Sequence, residues 1–369
     1  MKRRFLGPLV VTGIFIFAGS QAAPALAHDT GPTYHQIALI SVPGKPLLSF
    51  DISIVARSNL SDNEDDRSSE VGERSNQTYY LADRSNNAVD IINAATNTFQ
   101  TRVAGFVGFT GNNDTSGPNG IVVVADRDEL WAGDGNSSVK IIDLRTDSIV
   151  KSISTGGTNR ADEIAYDPKD KLILVANDAE THPFATLIDT RSRAVVGNIP
   201  LDDATNGVEQ PVWDPQTHLF YISIPQVGAD PADGAVVVID PKTRSRAGFF
   251  PVKNCQPAGL ALGPKQHLLL GCSDPTAMQV MNARGGAIVA TISQVSGADE
   301  VWYNAGDRHY YVAARNNPTG PVLGIIDAET DRWIQNVPTG TNAHSVAANP
   351  INNEIFVPLR GMGIGVFHR

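Results

Sequence analysis

Two stretches put a pair of carboxylates at the head of an apolar, strand-like run. They are "RADEIAYDPKDKLILVAND", with Asp162 and Glu163, and "GADEVWYNAGDRHYYVAARNN", with Asp299 and Glu300. In a dry core such acids are out of place, because a buried unpaired charge is costly. On a wet axis shared with other acids they become chemically useful. Like charges held close raise one another's pKa or call for a cation. Hard oxygen ligands suit Ca²⁺ or Mg²⁺, and an added imidazole brings in Zn²⁺ or Mn²⁺. A glutamate of perturbed pKa can also serve as a general base.

Similar runs elsewhere begin with Asp51, Asn119, Glu209, Gly259 and His344, and Asp162, Asp299 and Gln210 compete for the same positions one residue away. The expected binding set is therefore Asp51, Asn119, Glu163, Glu209, Glu300 and His344. One divalent cation, if held, would take Glu163, Glu209, Glu300 and His344. The rival expectation is a polar channel in which the acids bond only to water and backbone N–H groups. Further candidates follow second strands: Asp83 and Arg84 in "LADRSNN", His182 in "NDAETHPFATLID", Arg315 in "AARNNPTGP" and Arg360 in "VPLRGMG". Three arginines on one rim could grip a carboxylate or phosphate; salt bridging between repeats is the plainer role. A lone loop His182 reads as solvated.

The elements that would carry these residues repeat. A strand ends in Asp or Asn, usually with Thr or Ser three residues later, at Asn93, Asp143, Asp189, Asp240, Asn282 and Asp327, spaced 50, 46, 51, 42 and 45 residues apart. The Asx side chain caps a tight turn into a further strand. Ahead of each unit lies a hairpin with a DP, NP or GP turn, as in "EIAYDPKDKLILVAND" and "SVAANPINNEIFVP". Four strands per ~45 residues is the period of a β-propeller blade. Inner strands read near 50–55, 120–125, 163–166, 210–213, 258–262, 300–303 and 345–348, which predicts seven blades of four antiparallel strands in an all-β fold. The last blade ends "GIGVFHR" with no fourth strand, and "YHQIALISV" stands alone near the start. Pairing them completes the last blade and closes the ring, which would otherwise leave two sheet edges unpaired.

The repeats "YYLADRSNNAVDIINAATNT", "LILVANDAETHPFATLIDTRS" and "HSVAANPINNEIFVP" resemble the YVTN family of seven-bladed propellers, itself similar to the propeller part of cytochrome cd1-type proteins. The resemblance spans nearly the whole chain after the leader and implies architecture more than activity, because such propellers host many functions. Members include surface or periplasmic proteins. Sugar lactonases of neighbouring propeller families use an axial metal held by Glu, Asn and Asp, a set that does not map here residue by residue. A metal-dependent lactonase-like hydrolase, or a related lyase or isomerase, is thus one alternative to a ligand-binding propeller; a protein-interaction scaffold is the other.

"MKRR", an apolar run and "APALA" read as a signal peptide over 1–27, followed by the propeller over 28–369. That predicts an exported, periplasmic or secreted protein, with His28 as mature N-terminus. No later run approaches the ~20 residues of a membrane span. The leader carries three of the 29 Lys and Arg and none of the 39 Asp and Glu, so 26 basic face 39 acidic side chains afterwards. Such a balance argues against a nucleic-acid partner. The expected partner is a small molecule or a protein, and the expected state a monomer. Cys255 and Cys272 predict one disulfide, pinning the fifth blade near its top. The segment "ARSNLSDNEDDRSSEVGERSNQ" (56–77) reads as a long acidic loop. No GxSxG, HExxH, P-loop or strand-linked GxGxxG motif is present. Trp131, Trp213, Trp302 and Trp333 read as core, with Trp213 and Trp302 near enough to inner strands to line a pocket.

Overall fold

A computed structural model describes residues 33–56, 77–273 and 277–369. The expected leader, His28 and the interior of the 56–77 loop lie outside the described residues. The rest is a ring of seven four-stranded antiparallel sheets with only short 3-10 turns besides. The inner strands are Ser53–Ala56, Ile121–Val124, Ile164–Asp167, Pro211–Asp214, Pro257–Leu262, Val301–Asn304 and Ala347–Ala348, within three residues of expectation.

Burial explains the strand compositions. The second and third strands of each blade are covered on both faces by neighbouring blades. They therefore read as continuous apolar runs rather than alternating ones: Leu172–Asn177 is buried throughout. Outer strands alternate and are largely exposed, as in Ala194–Pro200. The core fills the spaces between blades; Leu268, Leu270, Val280 and Val312, for example, form one cluster. Burying each such side chain contributes about 1.5–3 kcal/mol.

The turns follow the Asx logic. Asp189 Oδ1 accepts from the N–H groups of Arg191 (3.0 Å) and Ser192 (2.8 Å). Asn93 does the same for Ala95 and Thr96. At the inner hairpins Asp167 Oδ1 accepts from Lys169 N (2.8 Å) and Asp214 Oδ1 from Gln216 N (2.8 Å).

The ring closes as predicted. His35–Ile40 pairs antiparallel with Gly363–His368, His35 opposite His368 and Ile40 opposite Ile364. Tyr34 adds a fastening to blade 6, its hydroxyl 2.7 Å from His309 Nδ1. Cys255 and Cys272 form the disulfide, with Cα atoms 4.8 Å apart. The register shift between Pro257 and Gly259 lets Pro257 face Cys272 and brings the two cysteines into reach. Because each blade is a meander, every inner strand starts, and every second strand ends, on the same top face. The topology therefore gathers the strand heads and the rim loops around one opening. No helix among the described residues is long and apolar enough to cross a membrane.

Candidate functional site

A cavity of about 950 Å³ opens there. Its wall includes Asp51, Glu163, Glu209, Glu300, His344, Arg84, Arg315 and Arg360, all expected from sequence, together with both members of each acid pair, Asp162 and Asp299. Asn119 stands behind the wall, fully buried, and His182 stands apart, with a side chain 83 % exposed and 3.8 Å from Asp202. Trp213 and Trp302 pack against the inter-blade clusters rather than line the cavity, whereas Trp333 is on the surface.

Close backbone approach positions the acid pairs. Gly120 of blade 2 lies against blade 3, where a Cβ would stand 2.4 Å from Glu163 Cα and 2.5 Å from the Asp162 carbonyl oxygen. Gly259 of blade 5 lies against blade 6 in the same way, its missing Cβ 2.3 Å from the Asp299 carbonyl oxygen. Only a residue without a side chain fits either place. Gln210 spans blades, accepting from Leu260 N at 2.8 Å. Glu209 is thus the member of that pair left to face the cavity.

The first acid of each Asp-Glu pair is neutralised by an arginine. Arg160 Nη2 lies 2.7 Å from Asp162 Oδ2 and 2.6 Å from Asp178 Oδ2. Arg315 Nη1 lies 2.8 Å from Asp299 Oδ2. The second acids have no such partner. Neither Glu163 nor Glu209 has a side-chain hydrogen bond or ion pair among the described residues. Glu300 is held by Ser345 and the Val346 N–H, yet its Oε1 is buried with no partner.

Arg84, a rim arginine for which salt bridging is the plainer expectation, is buried and engaged in that way. Its Nη2 donates to Asp51 and to Asn119 Oδ1 (2.7 Å), its Nε to Asn119 Oδ1 (3.0 Å) and its Nη1 to Asn113 (2.6 Å). Asn119 in turn donates to the Ala161 carbonyl at 2.8 Å, so this network links blades 1, 2 and 3. His344 stacks on Phe50 with centroids 4.7 Å apart. Its Nδ1 donates to the Asn342 carbonyl at 2.9 Å. That turns Nε2 toward Asp51 Oδ1, 3.6 Å away.

These surroundings set the charge states. Burial alone would raise Asp51, but Arg84 and His344 outweigh it and pull the carboxyl down to about 2. Burial pushes Glu163 well above the ordinary range, aided by Glu300, Glu209, Asp162 and Asp51. Burial, Asp51 and Asp299 push Glu300 up likewise. Glu209 rises to about 8 through burial and the charges of Asp178 and Asp299, against the pull of Arg160. Asp162 is also raised by burial, with Arg160 opposing. The deep part of the cavity therefore holds glutamates that burial and neighbouring carboxylates make hard to ionise.

Sequence reading missed Arg160 and Lys45, both on the wall. Arg160 carried a signal: two residues before Asp162 on an extended chain, it shares that residue's face. Among the described residues no group of three His, Cys, Asp or Glu side chains is arranged to hold a metal ion.

Neither a family model nor a curated protein matches this sequence. Among solved structures, the chain is similar to a Kuenenia stuttgartiensis hydrazine synthase chain, with 16 % identity, a TM-score of 0.68, and coverage of 91 % of this chain and 97 % of that one. It is also similar to a chain of a mitotic checkpoint complex, with 13 % identity, a TM-score of 0.65, and 99 % of each chain covered. At such identities the likeness concerns the fold: this chain is a seven-bladed β-propeller.

Proposed function

We propose that this is an exported, YVTN-type propeller that binds a small ligand in its axial cavity, with Glu163, Glu209 and Glu300 as the recognising groups. One observation carries the reading: three glutamates from three blades converge on one cavity, and the buried Glu300 Oε1 has no partner. Internal ion pairs account for the neighbouring aspartates Asp51, Asp162 and Asp299, but not for these glutamates. Leaving a buried acceptor unsatisfied costs about 1–3 kcal/mol; Oε1 is closed to solvent, and a turn of the carboxyl toward the cavity would let a ligand donor recover that cost. The disulfide is compatible with export. A divalent cation at Glu163, Glu209, Glu300 and His344 would draw on the same glutamates, after side-chain movement to bring them together. A hydrolase using one of these glutamates as general base would act from the same place.

The test is a thermal-shift screen of small polar molecules and of Ca²⁺, Mg²⁺, Mn²⁺ and Zn²⁺, with calorimetry on each hit. The expected result is one-to-one binding that is lost in Glu163→Gln and Glu300→Gln while both variants stay folded. Hits that bind both variants as they bind the wild type would remove the axial site from consideration.

A further inference from the structure

Subtracting the internal pairs from the cavity wall leaves two unpaired sets at different depths. Of the five basic side chains on the wall, Arg84 is engaged by Asp51 and Asn119, Arg160 by Asp162 and Asp178, and Arg315 by Asp299. The remaining two are exposed at the mouth. The Lys45 ammonium makes no hydrogen bond or ion pair among the described residues, and Arg360 commits only its Nε, to the Leu48 carbonyl at 3.1 Å. At depth the carboxyl groups without a cationic partner are Glu163, Glu209 and Glu300; Glu300 is 4 % exposed, is held by Ser345 and the Val346 N–H, and keeps only Oε1 without a partner. The apolar side chains of Phe50 and Leu48 also line the cavity, Phe50 buried and Leu48 exposed. The wall is thus polarised, with acceptors inside, apolar surface on the way and donors outside.

We infer that the ligand is a zwitterion of the amino-acid class, its ammonium end seated among Glu163, Glu209 and Glu300 and its carboxylate held at the mouth by Lys45 and Arg360. The inference rests on the ligand-binding reading above and names its chemistry. An ammonium has three donors and no acceptor, which suits the three carboxyl groups on this wall that have no cationic partner, once their side chains turn toward one point. Its burial is repaid only by close opposite charge, which the glutamates supply on ionising. The carboxylate end meets basic groups still in contact with water. Its contribution is smaller and weakens with salt.

The experiment is calorimetry at low salt with β-alanine, γ-aminobutyrate, δ-aminovalerate and ε-aminocaproate, each against the alkylamine and the carboxylate of matched length. The chain-length series finds the span between the two ends. We expect one member to bind at least about tenfold more tightly than both of its matched partners, the factor one charge-assisted hydrogen bond provides. Glu300→Gln, and Glu163→Gln as a second variant should the first fail to fold, should weaken every amine-bearing probe about tenfold. The double variant Lys45→Gln/Arg360→Gln, altered only on the surface, should abolish the advantage of the amino acid over the plain amine. If the amine binds as tightly as the amino acid, or the mouth variant changes nothing, the zwitterion is overturned while the ligand site stands. If no member binds, the zwitterion is overturned as well, and the ligand reading falls with it only when the broad screen is also empty.

Discussion

Replacing Glu209 by glutamine tests the electrostatics of the cavity without reference to any ligand. In the folded protein this carboxyl keeps its proton to about pH 8, against an ordinary value of 4.5. Between those values the folded state binds more protons than the unfolded chain, so stability falls as pH rises through the window and the loss is complete above it. Each tenfold change in proton affinity is worth about 1.4 kcal/mol, which sets an upper bound of about 5 kcal/mol for the interval. Glu209 is only partly buried, so water screens a good part of this and the expected loss is about 2 kcal/mol. Glutamine has the same shape and never ionises. Urea denaturation at pH 5, 6, 7 and 8 should therefore show wild type and Glu209→Gln equal within about 1 kcal/mol at pH 5 and the variant ahead by about 2 kcal/mol at pH 8. The difference between the curves is the quantity to read, because Glu163 and Glu300 slope the wild-type curve in the same direction. Parallel curves over the whole range would refute the reasoning: Glu209 would then be an ordinary solvated acid.

Arg84→Met removes the main partner of the buried Asp51 carboxylate, and denaturation should show a loss of about 3–5 kcal/mol, partly recovered by adding Asp51→Asn. Gly120→Ala places a methyl group against the backbone of Asp162 and Glu163; about 1–3 kcal/mol of stability should be lost, together with affinity for any axial ligand. Cys255→Ser/Cys272→Ser opens a link across 17 residues and should cost about 3 kcal/mol in denaturation, with axial binding kept, since blade 5 contributes Gly259 rather than an acid at its strand head. Any cation that binds at the glutamates should do so more tightly as pH rises toward 8, with proton release measurable as a buffer-dependent calorimetric heat.

The ring was legible because each of its signals is local. Asx turns recur where a side chain caps its own backbone, as Asp189 and Asp167 do, and the two-sided burial of Leu172–Asn177 leaves an unbroken apolar run. The heads of the inner strands were legible for the same reason, since the count of strands fixes where each one starts. The neutralisation of particular acids was not legible. Arg84 reads as a rim residue by position, but its side chain turns inward to Asp51 and Asn119 across two blades. Lys45 lies in "VPGKPLLSF", a segment outside the repeat, so no period points to it. Partners separated by 30 residues or more, such as Arg84 and Asn119, are chosen by three-dimensional packing, which no local pattern encodes.

The two acid pairs reach the same end by different routes. In blade 3 the neutralising arginine is Arg160, two residues before Asp162; the corresponding position in blade 6 is Gly297. In blade 6 the arginine is Arg315, sixteen residues after Asp299; the corresponding position in blade 3 is Asp178, of opposite charge. A repeat that merely copied its ion pairs would have placed both arginines alike. Here the repeats disagree on the source of the cation and agree on the outcome, with the aspartate compensated and the following glutamate left facing the cavity. Structural ion pairing accounts for Asp162 and Asp299. It does not account for Glu163 and Glu300, which burial and neighbouring carboxylates make costly to ionise. A residue whose surroundings are arranged to disfavour its own charge is poised for an occupant that restores it. On the ligand-binding reading proposed above, the glutamates, rather than the arginines that first suggest an anion, set the chemistry of the ligand.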